Sequence, residues 1–236
     1  MIRENLLKIK EGISLICSKI NQDPNGITIV AVTKGRTVEQ IREAIEAGIT
    51  DIGENKVQEA ISKYNDLQLK AYSLKPIKWH MVGHLQTNKV KEAVKIFDLI
   101  HSVDSLRLAV EINKQAAKID KTQDILIEIK TSPEATKFGL ERGEAIEVIK
   151  EIAKLKNLNI KGLMTIAPVV DNPEKAHPYF RQLKELQEEI NQLSTTNYQL
   201  STLSMGMTDD FEVAIEEGSN MVRLGRAIFE PRINTD

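Results

Sequence analysis

The chain is expected to fold as one (β/α)8 TIM barrel spanning residues 1–236, a single domain. Three observations predict it. Short apolar runs alternate with helical periods along the sequence, which argues for a parallel sheet with helices outside it. Eight such units closing on themselves leave no free edge, whereas an open doubly wound sheet commonly has about five or six strands. The 236 residues suffice for one large core, and nothing between residues 25 and 230 reads as a linker.

Residues 3–20 place Leu6, Ile9, Ile13, Ile16 and Ile20 three or four apart, which predicts one amphipathic N-terminal helix. The stretch Asn21-Gln22-Asp23-Pro24-Asn25-Gly26 stops it. Strands are predicted at 27–32, 50–53, 77–82, 97–101, 124–129, 160–166, 199–204 and 220–224. Helical periods fall between them, at about 38–47, 55–69, 87–95, 104–119, 141–156, 173–192 and 209–217. Thr37-Val38-Glu39-Gln40 reads as a capping box, with Gly48 as terminator. Asp209-Asp210-Phe211-Glu212 is expected to cap the last of these helices reciprocally, and Asp104 to cap the helix that begins at Ser105.

The formal charge of -2 gives no support to nucleic-acid binding as the main role, which calls for a net basic surface. It leaves room for a local basic pocket. The lone Cys17 sits in the amphipathic stretch and is expected to be a packed thiol. No apolar run approaches the ~18 residues of a membrane span. The start, Met1-Ile2-Arg3-Glu4-Asn5, lacks the apolar core of a secretion signal. Cytoplasmic residence as a monomer, with neither membrane nor nucleic acid as partner, is the expectation.

In such a barrel the site lies at the C-terminal ends of the strands. Lys34 follows Ile29-Val30-Ala31-Val32-Thr33. Most lysines are solvated, but one that ends an apolar barrel strand is expected to have its stem among apolar atoms and its amine at the mouth. Loss of water there favours reaction with an aldehyde. Asn55, after Gly53-Glu54, reads either as a helix cap or as a hydrogen-bonding partner of a ligand. His80 alternates with Trp79, which places it in a polar layer of the barrel interior; His84 ends the strand. Two histidines four apart suggest a metal on a helix, and this segment is a strand, so no metal is expected. Gln86 and Asn88 read as caps, and Lys130 and Lys137 as solvated loop lysines or as amines that steer an anion. Ser204-Met205-Gly206-Met207 follows the seventh strand, and Arg223-Leu224-Gly225-Arg226 finishes the eighth. Gly206 and Gly225 allow close approach of backbone N–H groups, Ser204 supplies a hydroxyl, and loops after these two strands form the recurrent phosphate cradle of the fold. Arg223 either pairs with a carboxylate of its own chain or faces the polar edge of a cofactor. An amine and a phosphate cradle in one mouth fit a phosphorylated aldehyde; a sugar phosphate with an aldolase-like lysine fits the same residues.

These segments resemble the pyridoxal phosphate homeostasis protein family, single-domain relatives of the alanine racemase N-terminal barrel (PLP fold type III). The marks are Ala31-Val32-Thr33-Lys34, Gly53-Glu54-Asn55-Lys56-Val57-Gln58-Glu59, Trp79-His80-Met81-Val82-Gly83-His84-Leu85-Gln86-Thr87-Asn88-Lys89, His101-Ser102-Val103-Asp104, Gly162-Leu163-Met164, Leu203-Ser204-Met205-Gly206-Met207 and Arg223-Leu224-Gly225, spread over roughly residues 5–230. The resemblance implies pyridoxal 5'-phosphate (PLP) as cofactor, held as an aldimine on Lys34, with Arg223 facing the pyridine nitrogen. It implies that Ser204, Gly206 and Gly225 surround the phosphate, that Asn55, His80 and Met164 line the pocket, and that Lys137 is an accessory lysine. Arg226 stands in the phosphate loop where members commonly have a small hydroxyl residue, and its guanidinium either substitutes from the side or points away. Glu230 stands where a glycine is common.

An arginine at the pyridine nitrogen weakens the ring as an electron sink, which suits a carrier or racemase-like chemistry better than a transaminase. The second β domain of the racemases is expected to be absent, leaving the cofactor open to release. The function implied is a PLP-binding protein of vitamin B6 and amino-acid homeostasis without catalysis, serving PLP-requiring apoenzymes. The competing readings are a slow amino-acid racemase, with Lys34 and either Lys137 or His80 as its bases, and a ligand-controlled interaction protein.

Overall fold

The computed structural model describes residues 1–68, 76–132, 134, 138–193 and 199–231. Its strands are β1 (Thr28–Val32), β2 (Asp51–Glu54), β3 (Lys78–Met81), β4 (Leu99–Val103), β5 (Gln123–Lys130), β6 (Leu140–Glu141), β7 (Leu158–Met164), β8 (Thr202–Ser204) and β9 (Met221–Leu224). Around the barrel the order is β4-β3-β2-β1-β9-β8-β7-β5, and pairing of β4 with β5 closes it. All eight predicted strands are barrel staves, and all these pairings are parallel. The two-residue β6 lies beside the end of β5 and has no counterpart in the sequence reading.

The helices are α1 (Ile2–Lys19), α2 (Val38–Glu46), α3 (Val57–Gln68), α4 (Val90–Ile96), α5 (Leu106–Ala117), α6 (Arg142–Ile152), α7 (His177–Gln192), α8 (Phe211–Glu216) and α9 (Arg226–Phe229). Helix α1 buries Ile2, Leu6, Ile9, Ile13, Ile16 and Cys17 on one stripe and packs on α8 and α9. Burial, with Asp23 nearby, pushes the Cys17 thiol up and keeps it inert. Asn5 on the same stripe donates to the carbonyls of Ile228 and Glu230, both at 3.0 Å, and so ties α1 to the last turn of the barrel. No helix among the described residues is long and apolar enough to cross a membrane.

The capping box forms at α2: Thr37 Oγ1 accepts from the Gln40 N–H at 3.3 Å and Gln40 Oε1 from the Thr37 N–H at 3.0 Å. Two other caps differ from the sequence reading. Asp210, not Asp209, precedes α8, and its carboxylate turns back to accept the Met207 N–H at 2.6 Å; Asp209 is drawn instead to the Arg226 guanidinium. Ser105 caps α5 by accepting the Leu108 N–H at 3.3 Å, while Asp104 accepts from the Ser105 hydroxyl and faces His84. In both places a nearby donor claims the carboxylate first.

One apolar core fills the layer between staves and helices. The barrel interior holds only a small apolar group, Leu99, Leu126 and Met164 with Ile166 and Met221 against it. The rest of the interior is polar, and this sets up the site. At Gly162 the backbones of β7 and β8 come so close that a Cβ would run into the Thr202 carbonyl oxygen. Gly162→Ala should therefore cost roughly 3 kcal/mol or more in urea unfolding, whereas Gly143→Ala, on an exposed face of α6 with open space around it, should be neutral or stabilising by up to ~1 kcal/mol.

Candidate functional site

A cavity of about 390 Å³ opens at the C-terminal ends of the staves. Lys34, Asn55, Arg223, Gly225 and Arg226 line it, together with Arg36, Val82, Ile166, Met207 and Thr208. Lys34 stands one residue past Thr33, in the turn after β1, and is exposed at the mouth. The apolar sleeve expected around its stem is not there, because the stave ends at Val32.

What the chain fixes is the backbone on either side of Lys34. Lys63, buried on α3, donates to the Thr33 carbonyl at 2.6 Å, to Glu54 at 2.7 Å and to Glu59 at 2.6 Å. Glu59 in turn accepts the Gly35 N–H at 2.7 Å, and the Thr33 hydroxyl donates to Glu54. Burial works to raise Glu59, but the Lys63 ammonium and the Gly35 N–H outweigh it and hold the carboxyl below its ordinary value. Next to Glu54, the Oδ1 of Asn55 is buried with no hydrogen-bond partner among the described residues. The cap role for Asn55 leaves that acceptor unexplained; a ligand donor in the cavity would satisfy it.

On the opposite wall Arg223 rises from β9, only 3% exposed. Its guanidinium donates to the Ser204 carbonyl and hydroxyl, both at 2.7 Å, and to the Thr165 carbonyl at 2.8 Å. Burial pulls it down to about 10, with Glu128 and Asp210 acting against that, so it stays cationic at neutral pH. From Ser204 a chain of contacts crosses the interior: Ser204 Oγ to His101 Nδ1 at 3.0 Å, His101 Nε2 to His80 Nδ1 at 2.9 Å, His80 Nε2 to Asp51 Oδ1 at 2.9 Å. The ends assign the protons. Arg223 only donates and an ionised Asp51 only accepts, so every N–H and O–H between them points toward Asp51. Burial raises Asp51, but hydrogen bonds from His80 and Thr50 outweigh it and leave the carboxyl below its ordinary value. Complete burial, then the neighbouring His80 and the Arg223 guanidinium, hold His101 well below the usual imidazole range, so it remains neutral with Nδ1 free to accept.

The alanine racemase N-terminal domain model matches residues 5–232. A pyridoxal phosphate homeostasis protein of Aquifex aeolicus is 42% identical over 229 residues, 97% of each chain. The Escherichia coli K12 protein of that name is 36% identical over 234 residues, 98% of this chain and 97% of its own. The chain belongs to the alanine racemase N-terminal domain family and, within it, to the pyridoxal phosphate homeostasis proteins. A solved structure of PipY from Synechococcus elongatus, described with PLP bound, superimposes at TM-score 0.83 and 33% identity, covering 97% of this chain and 100% of that one. A Clostridium difficile alanine racemase shares the fold at TM-score 0.74 and 17% identity, with 58% of its chain covered.

Measured against the residues a homeostasis protein was expected to use, the structure divides them. Lys34, Asn55, Arg223, Gly225 and Arg226 share the cavity wall, whereas His80, Met164 and Ser204 lie inside the barrel beneath it. The Ser204 hydroxyl, expected to point at a phosphate, gives its proton to His101 and accepts from Arg223. Gly206 has φ +92°, and a Cβ there would come within 2.6 Å of the Ala214 Cβ, so packing on α8 accounts for it. Gly225 is different: a Cβ would meet only Val32, at 3.5 and 3.6 Å, so the protein's own atoms do not demand glycine there and the space lies open to the cavity. Arg226 pairs with Asp209, and Glu230 with Arg36. Lys137 lies outside the described residues.

Sequence reasoning missed Lys63, Glu59, His101 and Glu128. Glu59 and Lys63 carried one signal, their i,i+4 spacing, which reads equally well as a solvated helix pair. Glu128, on β5 and 6% exposed, is pushed up to about 7 by burial and then by Asp104, against Arg223.

Two outcomes follow for a homeostasis protein built this way. Lys63→Met strands Glu54 without its cation and should cost about 3–5 kcal/mol by chemical denaturation, with Glu54→Gln added to it recovering part of the loss. Glu128 holds its proton in the folded state where the unfolded chain has released it, so its contribution to stability falls as pH rises from roughly 4.5 to 7. Glu128→Gln lacks this titration; its stability relative to wild type should rise by about 3 kcal/mol from pH 4.5 to pH 8 in paired urea melts.

Proposed function

We propose that this protein binds PLP covalently through the Nζ of Lys34 and serves as a carrier, without catalysis, in vitamin B6 and amino-acid homeostasis. The observation that carries the reading is the placement of a lysine with pinned neighbours on the wall of a cavity that also holds an unpartnered buried acceptor, Asn55 Oδ1, and the open backbone at Gly225. These residues fit PLP in kind. When bound, PLP supplies an aldehyde with which a primary amine condenses.

The chain's own residues then have distinct tasks. Lys34 gives the amine, and Arg223, fixed by three acceptors, presents a cation that does not give up its proton at neutral pH. His80 and Ser204 act through Arg223, Met164 fills the interior under the site, and Gly206 shapes the loop after β8. Arg226 and the open backbone at Gly225 serve the phosphate. Arg226 is free to do so because its present pairing with Asp209 is exposed on both sides. Lys137 is the proposed accessory amine. The relatives' names, and the PLP described in PipY, support the same ligand. The protein is proposed to act in the cytoplasm as a monomer that yields PLP to apoenzymes.

An absorbance titration with PLP from 300 to 500 nm tests this. Wild type should show a saturable band near roughly 420 nm that borohydride fixes on Lys34, and Lys34→Ala should lose it. The same band and the same trapping in Lys34→Ala would assign the ligand to another amine and end the reading.

A further inference from the structure

β5 ends beside a second cavity, of about 170 Å³, that touches the first through the shared side chain of Ile166. At ~30 Å³ per water it has room for roughly five or six water-sized groups. Ile129, Ile166 and the ring of Phe138 make its apolar wall, and Glu128, Lys130, Thr131 and Ser132 are the polar residues on it. Phe138 is exposed, stacked on His84 with centroids 3.8 Å apart.

Glu128 is only 6% exposed, it lines the cavity, and its carboxyl makes no hydrogen bond or ion pair with any described residue. Each charged group near it is engaged elsewhere. Asp104, after β4, accepts from Ser105 and faces His84 at 3.3 Å. Arg223, from β9, spends its bonds on Ser204 and Thr165. Lys130, on β5 itself, pairs with Glu141 at 2.8 Å. Thr131 has an acceptor to spare: Thr165 donates its own hydroxyl to the Ile129 carbonyl, so in the 2.9 Å Thr131–Thr165 contact Thr131 is the donor, and its oxygen lone pairs remain. A buried carboxyl beside a second one, with no cation bonded to it and apolar walls around it, lacks what a cation with N–H donors and a short apolar body would bring.

We infer that this cavity binds the ammonium group of a small primary amine, the nitrogen against Glu128 and Thr131 Oγ1 and a short aliphatic tail against Ile129, Ile166 and Phe138. An anion would lie against the Glu128 carboxylate, and a neutral alcohol brings it no charge, while Lys130 on the same wall is taken by Glu141. The inference stands apart from PLP binding, since Lys34 and Asn55 take no part in it. With the cavity free of a cation, Glu128 keeps its proton to about pH 7; an ammonium displaces that proton, so binding tightens as pH rises toward 7.

The test uses protein free of PLP, labelled with ¹³C at glutamate carboxyls, with the Glu128 resonance assigned by its loss in Glu128→Gln. Its pH midpoint is followed with propylammonium and with propan-1-ol, and propylammonium binding is measured by calorimetry. Propylammonium should lower the midpoint by about one unit or more, propan-1-ol should leave it in place, and Glu128→Gln should bind propylammonium about tenfold more weakly or worse. A midpoint that both probes move alike, or that neither moves, overturns the inference, as does equal binding of propylammonium by Glu128→Gln. PLP absorbance on a separate wild-type aliquot without propylammonium reports Lys34, so failure of one reading is told from failure of the other.

Discussion

Arg223 brings a full positive charge into the interior of the barrel, 3% exposed. An unpaired cation there would cost several kcal/mol, so the surrounding residues have to supply acceptors. Two of them are backbone carbonyls, at Ser204 and Thr165, where the ends of β8 and β7 run side by side. The third, the Ser204 hydroxyl, passes its proton on through His101 and His80 to Asp51. The chain therefore ends on a charge opposite to the one it begins on, and each bond polarises the next in the same sense. It links β9, β8, β4, β3 and β2, so the guanidinium is held by more than half of the barrel's circumference. Leu99, Leu126 and Met164 fill the interior left over.

The Lys63 network supports the site from the other side. Lys63 sits among two carboxylates and a carbonyl with almost no access to water. Such a cluster is weak evidence for stability, because the desolvation of its charges offsets most of their attraction. Its distinct effect is positional. Thr33 and Gly35 are both bound to it, so the turn that carries Lys34 is defined although the side chain itself is exposed. One network fixes the cation of the mouth, the other the amine.

The staves were legible because hydrophobic alternation and helix periodicity are local, and eight units of them leave closure as the arrangement without edges. The mouth residues were legible for a related reason: the ends of staves are known once the staves are. What was not legible is the division between wall and interior. Ser204 and Arg223 both sit at stave ends, and nothing local says that one side chain bonds the other. His101 shares its stave face with Leu99 by simple alternation, which was a usable signal, but its contact with His80 depends on the register of β3 against β4. Lys63 looked like one more solvated helix charge because its partners Glu54 and Thr33 come from two different staves.

The two charges Arg226 and Glu230, near the mouth, are held in unequal ways. Glu230 pairs with Arg36, which lies against the Phe229 ring at 5.6 Å, and the backbone of Glu230 also accepts from Asn5 of α1. The side chain thus ties the end of α9 to the turn after β1, while the bond to α1 is made by the backbone. Arg226 meets Asp209 where both are exposed, 62% and 72%, a setting in which water and salt leave an ion pair worth about 0–1 kcal/mol. The fold gains little by holding Arg226 there and loses little by releasing it. Glu230 is thus tied into the fold, while Arg226 stays a loosely held cation on the wall of the Lys34 cavity.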